Sequence, residues 1–369
     1  MNLGRSIDNQ RVKVISSCVR NPAALFADKT VLVPQNSSPR DGDLVLVRCL
    51  SSCGAYNHVE DLNGMPVRLF HGDVVLLVLG TRRSGTSLLG EVPTTLLQAG
   101  DTLDLVAQGG LAARCTGVPA YYGSQALPLE VIAFPRALSG KVLNLDDNPL
   151  IPLVPKELLK HPKPLLFVCG TSAEVGKTTM ICNLNLSIKA LRPTLRTAAI
   201  KGCGTGRSRD ALNYLAANYN VVTDFVDAGL PSTYGVSETK FRSVLHTLIQ
   251  HCSERADLVV VEIGGDFLEG HAPAALSIMS EYHADCVMMV NDAMGALEGM
   301  RRLKALHCEP LMIGTYKQNL QALAPRLGVA PELVADSADP SALQRLQELL
   351  LGQNLSRPGI STTLAPVSP

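Results

Sequence analysis

The 369-residue chain is 46% apolar and 18% charged, a globular composition that excludes a disordered protein and suffices for two domains of ordinary size. Its 33 basic and 33 acidic residues balance and aromatics reach only 4%, so no nucleic-acid partner and no acidic membrane surface is expected. No stretch near the start has signal-peptide character and no apolar run approaches the roughly 18 residues of a membrane span, which predicts a cytoplasmic protein.

Ten cysteines occur, but the closest pair is Cys49 and Cys53 and no CxxC or Cys/His cluster is present. Reduced, structural thiols are expected, acting as small hydrophobes. Cys203, in a glycine-rich loop, is the one thiol whose setting invites a check of reactivity.

Residues 1–145 read as a β-rich barrel or sandwich. Short β-type runs follow a recurrent Gly-Asp pair: Gly42-Asp43 before LVLVR, Gly72-Asp73 before VVLLVLG and Gly100-Asp101 before TLDLVA. Glycine tolerates positive φ and aspartate closes a turn with its own side chain, so each pair predicts a strand entry. His58, Glu60 and Asp61 fall in an expected loop, as solvated side chains.

The proline-rich stretch 146–163 predicts a linker, and with it a C-terminal unit that folds by itself from near Pro155. Across 164–352 short apolar runs alternate with helical periodicity. Strands are predicted at Leu165–Cys169, Thr197–Lys201, Leu258–Glu262, Cys286–Val290 and Leu311–Gly314, each built on a continuous apolar run without alternation, as strands buried on both faces are. Met180, Ile181, Leu184, Ile188 and Leu191 keep helical spacing, as do Leu297, Met300, Leu303 and Leu306. The fold class expected is therefore α/β, a P-loop NTPase with a mostly parallel sheet, preceded by a smaller all-β, barrel-like domain. The Ser/Thr/Pro-rich tail 353–369 is expected to be disordered.

The most informative segment is PLLFVCGTSAEVGKTTM, Pro164–Met180. An apolar strand ends at Gly170 and Gly176-Lys177-Thr178 opens an amphipathic helix. Backbone N–H groups over Gly170, Thr171, Glu174, Val175, Gly176 and onward to Thr179 would cradle the phosphates of ATP. Lys177 would reach the β- and γ-phosphates and Thr178 would ligate Mg²⁺. Further on, Glu262 closes the apolar strand of VVVEIGGD; a buried carboxylate there needs a cation or an ion pair, and both remain open.

Five residues, not four, separate Gly170 from Gly176, and GTSAEVGKT resembles the GTDTxVGKT loop of dethiobiotin synthetases. Lys201-Gly-Cys-Gly-Thr205-Gly206, Ser208-Arg209-Asp210-Ala211-Leu212, the loop Phe225–Gly235 and Val259–Asp266 resemble that family's later motifs in the same order. The resemblance covers about Pro164–Leu327. It implies Thr178, Asp210 and Glu262 as ligands of Mg²⁺, Lys177, Lys201 and Thr205 as catalytic residues, and Gln318 or Asn319 near the adenine. It further implies an ATP-dependent ligase that activates a small-molecule carboxylate or carbamate for attack by an amine, working as a homodimer. Ser172 and Ala173 replace an acidic residue and a threonine of the family loop. Glu298 lies near a position that reads the substrate's far end, and its charge predicts a cationic or neutral end there. A nucleotide switch or metallochaperone-like ATPase acting on a protein, and a small-molecule kinase, are the alternatives carried.

Overall fold

The computed structural model describes residues 11–123, 125–154 and 164–355. The second half of the expected linker and all but the first three residues of the expected tail lie outside them.

In the N-terminal part, strands β1 (Leu44–Cys49), β2 (His58–Glu60), β3 (Val74–Leu79), β4 (Thr102–Ala107), β5 (Leu111–Gly117) and β6 (Leu127–Ala137) carry the architecture. Five of them close a ring in the order β3-β1-β6-β4-β5, with β5 returning to β3 in parallel through Leu111↔Val78 and Ala112↔Leu79. The Gly-Asp pairs enter β1, β3 and β4 by one device used three times. Gly42, Gly72 and Gly100 sit at φ of 92°, 86° and 92°, where a side chain is strained. The aspartate that follows accepts the backbone N–H three residues earlier: Asp43 from Arg40 at 3.1 Å, Asp73 from Phe70 at 2.7 Å, Asp101 from Gln98 at 2.9 Å.

Val45, Val47, Val75, Leu77, Leu103 and Leu105 fill the ring. The alternate residues Leu44, Leu46, Leu76 and Val78 join a different cluster, shared with Phe225, Val226, Leu230 and Ile263 of the C-terminal domain. Strands β1 and β3 therefore lack alternation because the barrel's outer wall is also buried, against the second domain. The linker's first half belongs to this contact: Ile151 is buried and its N–H donates to Asp227 O at 2.9 Å. A chain starting near Pro155 would leave one side of this cluster facing water.

The C-terminal domain is a parallel α/β sheet with P-loop geometry. Its strands are β7 (Leu165–Gly170), β8 (Thr197–Lys201), β9 (Val221–Asp224), β10 (Leu258–Glu262), β11 (Asp285–Met289), β12 (Pro310–Thr315) and β13 (Val334–Asp336). They run in the order β9-β8-β10-β7-β11-β12-β13, every neighbouring pair parallel. Helices α1 (Lys177–Leu191), α2 (Ser208–Ala216), α3 (Glu238–Ser253), α4 (Ala272–Glu281), α5 (Ala293–Ala305), α6 (Leu320–Leu327) and α7 (Pro340–Leu355) complete it. Residues of β7 and β10 are buried throughout, so the C-terminal ends of β7, β8 and β10 lie side by side at the sheet's centre, where open α/β sheets bind ligands. Among the described residues no helix is long and apolar enough to cross a membrane.

Candidate phosphate and cation site

Strand β7 delivers the loop that the sequence singles out. A Cβ on Gly170 would lie 2.6 Å from Val175 Cγ1 and 3.1 Å from Lys177 Cδ, so glycine lets the loop fold back over its own strand. Gly176 caps α1 at φ 94°, and Glu174 shares the left-handed region at φ 57°. These turns aim the loop around the helix start, where N–H groups collect an anion. Thr171 N–H donates to Met289 O at 3.0 Å, and Tyr316 OH donates to Glu174 O at 2.9 Å, fastening the loop to the ends of β11 and β12.

The side chains of Lys177, Thr178, Lys201, Asp210, Tyr214 and Glu262 meet at the foot of this loop. Lys177 Nζ donates to Ser172 O at 2.8 Å and Gly265 O at 2.6 Å. Thr178 Oγ1 lies 3.0 Å from Glu262 Oε2 and 3.3 Å from Asp210 Oδ1. Lys201 Nζ sits between both carboxylates, 2.5 Å from Glu262 Oε1 and 2.7 Å from Asp210 Oδ2. Tyr214 OH donates to Glu262 Oε2. Glu262 is only 2% exposed, so its charge is tolerated because three donors converge on it.

Burial lowers the pKa of Lys177, assisted by the positive charge of Lys201. Burial would lower Lys201 too, but Asp210 and Glu262 outweigh it and hold the ammonium above the ordinary lysine range. Burial would raise Asp210, and Lys201 reverses that shift. Burial and then the Glu262 charge push the Tyr214 phenol well up, so it stays a donor. Cys203 is buried and its thiol is pushed up to about 12, which makes it inert as a nucleophile. All ten cysteines are free.

A groove of about 1010 Å³ opens above the cluster, lined by Lys177, Lys201, Asp210, Glu262, Tyr316 and Ser337 among others. Glu174, Thr178 and Thr179 line it as well. Thr205 does not; its backbone pairs with Ser232 beyond the end of β8. Gln318 donates to Asn291 O at 2.7 Å, and Asn319 caps α6 by accepting Gln321 N–H at 3.0 Å; neither lines the groove, and Tyr316 of the same connection does. Glu298 projects from α5 into solvent, bound by Arg301 and Arg302 at 2.7 Å each. Arg301 foremost holds its carboxyl down to about 2, so its charge is met within its own helix.

Among the described residues no group of three His, Cys, Asp or Glu side chains gathers to hold a metal. The donors at hand are two carboxylates and a hydroxyl, an all-oxygen set that fits Mg²⁺, which is ordinarily held by one or two carboxylates together with phosphate oxygens. Tyr214 and Tyr316 escaped sequence reasoning, since no motif marks an aromatic that serves a site through its hydroxyl.

No protein-family model matches the chain, and no curated protein does. Solved structures that it resembles in part include the signal recognition particle receptor FtsY from Elizabethkingia anophelis, at 19% identity over 42% of this chain and 50% of that one, TM-score 0.28. A ParA family ATPase from Chlorobium tepidum TLS matches at 13% identity over 52% and 88%, TM-score 0.30. The signal recognition particle 54 kDa protein from Aeropyrum pernix K1, in complex with GDP, matches at 14% identity over 57% and 49%, TM-score 0.32. The chain thus spans about half the length of the FtsY and 54 kDa protein structures.

Proposed function

We propose that the chain binds Mg·ATP at the Gly170–Thr179 loop and works as a dethiobiotin synthetase-like ligase, activating a small-molecule carboxylate or carbamate by phosphorylation. The observation that carries this reading is the Lys201 ammonium lodged between Asp210 and Glu262. Two carboxylates and Thr178 would hold Mg²⁺, which offsets charge on the β- and γ-phosphates. Lys201, now paired with both carboxylates, would be the positive charge available to an incoming carboxylate, and Lys177, now on the carbonyls of Ser172 and Gly265, the one available to phosphate oxygens. A substrate oxygen attacks the γ-phosphorus and the bond to the β-phosphate oxygen breaks, releasing ADP. An amine nitrogen then attacks the activated carbonyl carbon, loses a proton and expels phosphate. The protein's share is positioning and fixed positive charge.

Calorimetry with Mg·ATP, followed by mass spectrometry of products from a panel of carboxylates and amines, tests this. Lys177→Ala should weaken Mg·ATP by roughly 30-fold or more, as expected for loss of a buried charge contact, with its melting curve retained. Unchanged affinity in that variant would remove the assignment.

A nucleotide switch is the second reading, favoured by one contact. The segment that holds Lys177 through Gly265 continues to Glu269, which accepts the N–H of Gly85 in the N-terminal domain at 3.3 Å. ATP turnover that responds to a protein and to no small carboxylate or amine would favour it.

A further inference from the structure

Helix α2 brings Asp210 and Tyr214, one turn apart on the same face, to Lys201, Thr178 and Glu262. Its own sequence does not cap it. Arg207 occupies the N-cap position in extended conformation, at φ −164° and ψ 139°, without a side-chain cap hydrogen bond. The acceptor comes instead from the N-terminal domain. Glu60, on β2, takes the Ser208 N–H at 2.8 Å and Arg207 Nε at 2.7 Å, and Ser17 Oγ lies 3.3 Å away.

This is a built contact. Glu60 is 5% exposed, contrary to the solvated loop residue that the sequence suggests, and its own N–H is fixed on Gln108 O at 2.8 Å. Beside it the two domains touch so closely that side chains are excluded. A Cβ on Gly109 would lie 2.0 Å from Gly206 O, and one on Gly64 would lie 2.5 Å from Leu212 Cδ1. The opposite end of α2 is tied to α1, where Asn185 Nδ2 donates to Ala217 O at 2.8 Å. The nine-residue helix is thus pinned at its C-terminal end by the P-loop helix and at its N-terminal end by Glu60 of the N-terminal domain.

We infer that the N-terminal domain is a working part of the phosphate site, and that Glu60 is a positioning residue which sets Asp210 and Tyr214 through the first turn of α2. A carboxylate on the first free N–H groups of a helix holds them as a cap would and matches the helix's positive end. Toward a cation held by Asp210 it would act as an outer-sphere partner does, by fixing where that ligand points. The inference rests on the nucleotide reading above for its consequence, but not for its geometry.

The test uses full-length wild type, Glu60→Gln and Glu60→Ala. Hydrogen exchange of the ligand-free protein reads the helix directly. Peptides covering 208–216 should lose protection by about tenfold in Glu60→Ala and by less in Glu60→Gln, which keeps one accepting oxygen, while peptides from 177–191 stay unchanged. Mg²⁺ titrated into ADP-saturated protein reads the site. Its half-saturation should rise roughly 10–100-fold in Glu60→Ala, with the affinity for ADP alone within about twofold of wild type. Unaltered exchange over 208–216 in both variants would overturn the inference, and so would parallel losses of ADP and Mg²⁺ affinity, the mark of general damage. A wild-type protein that binds no nucleotide would defeat the proposed function alone, since the exchange measurement still decides on Glu60.

Discussion

Replacing Glu262 by glutamine separates the stability of the buried cluster from its chemistry. The carboxylate accepts Lys201 on Oε1, and Thr178 and Tyr214 on Oε2. A glutamine can keep its oxygen on Lys201 and turn its NH₂ toward the two hydroxyls, each of which can accept instead of donate. Lys201 also retains Asp210 at 2.7 Å. The stability loss should therefore stay near 1–2 kcal/mol, the difference between a charged and a neutral hydrogen-bond partner. Leucine at the same position leaves Tyr214 OH without its acceptor and Lys201 short of one charge, and should cost about 3–5 kcal/mol. Turnover is a different matter. A charge partner missing from the transition state costs about 2–4 kcal/mol, or roughly 30- to 1000-fold in kcat. Urea denaturation would give the first quantity, and ADP release at saturating Mg·ATP the second. A glutamine variant that turns over within about threefold of wild type would refute the reasoning and reduce Glu262 to a structural ion-pair partner.

Two other expectations concern the domain contact. Arg20 spans it, 2.6 Å from Asp224 and 3.5 Å from Asp227, and burial, with Asp224 adding to it, pushes the Asp227 carboxyl from 3.8 up to about 7. Between those values the folded state keeps a proton that the unfolded chain has lost, so stability falls as pH rises from about 4 to 7 and then levels. The group contributes about 2–4 kcal/mol to that fall; Asp227→Asn should flatten the slope in denaturation measured from pH 4 to 8, and an unchanged slope would count against it. A chain beginning at Pro155 should be poorly soluble, because Phe225, Val226 and Leu230 lose the barrel wall that covers them; a monodisperse product with cooperative melting would show that the shared cluster is dispensable.

The sequence speaks clearly where structure is local. β7, β8, β10, β11 and β12 are legible because each is built on a continuous apolar run, as a strand buried on both faces is. Two edge strands, Val221–Asp224 and Val334–Asp336, escape notice, being short and ending in aspartate. The loop from Gly170 to Thr179 is recognisable because strand, turn and helix start are consecutive. Glu60 is not, since its partners Arg207 and Ser208 lie 147 and 148 residues away, and neither end of the contact has a pattern of its own. The apolar runs in β1 and β3 do hold a legible clue: an isolated barrel in water would alternate there. Cys203 is set by packing that no local pattern encodes.

That unalternating barrel wall has a consequence during synthesis. The ring can close once β6 has left the ribosome at Ala137, but Phe225, Val226, Leu230 and Ile263, which share the cluster of Leu44, Leu46, Leu76 and Val78, are made only later. At translation speeds of about 5–20 residues per second, the roughly 125 intervening residues take about 6–25 seconds. A barrel that closes within that interval would carry an apolar flank without its mate. A chaperone that waits at the ribosome exit would find its first client surface there.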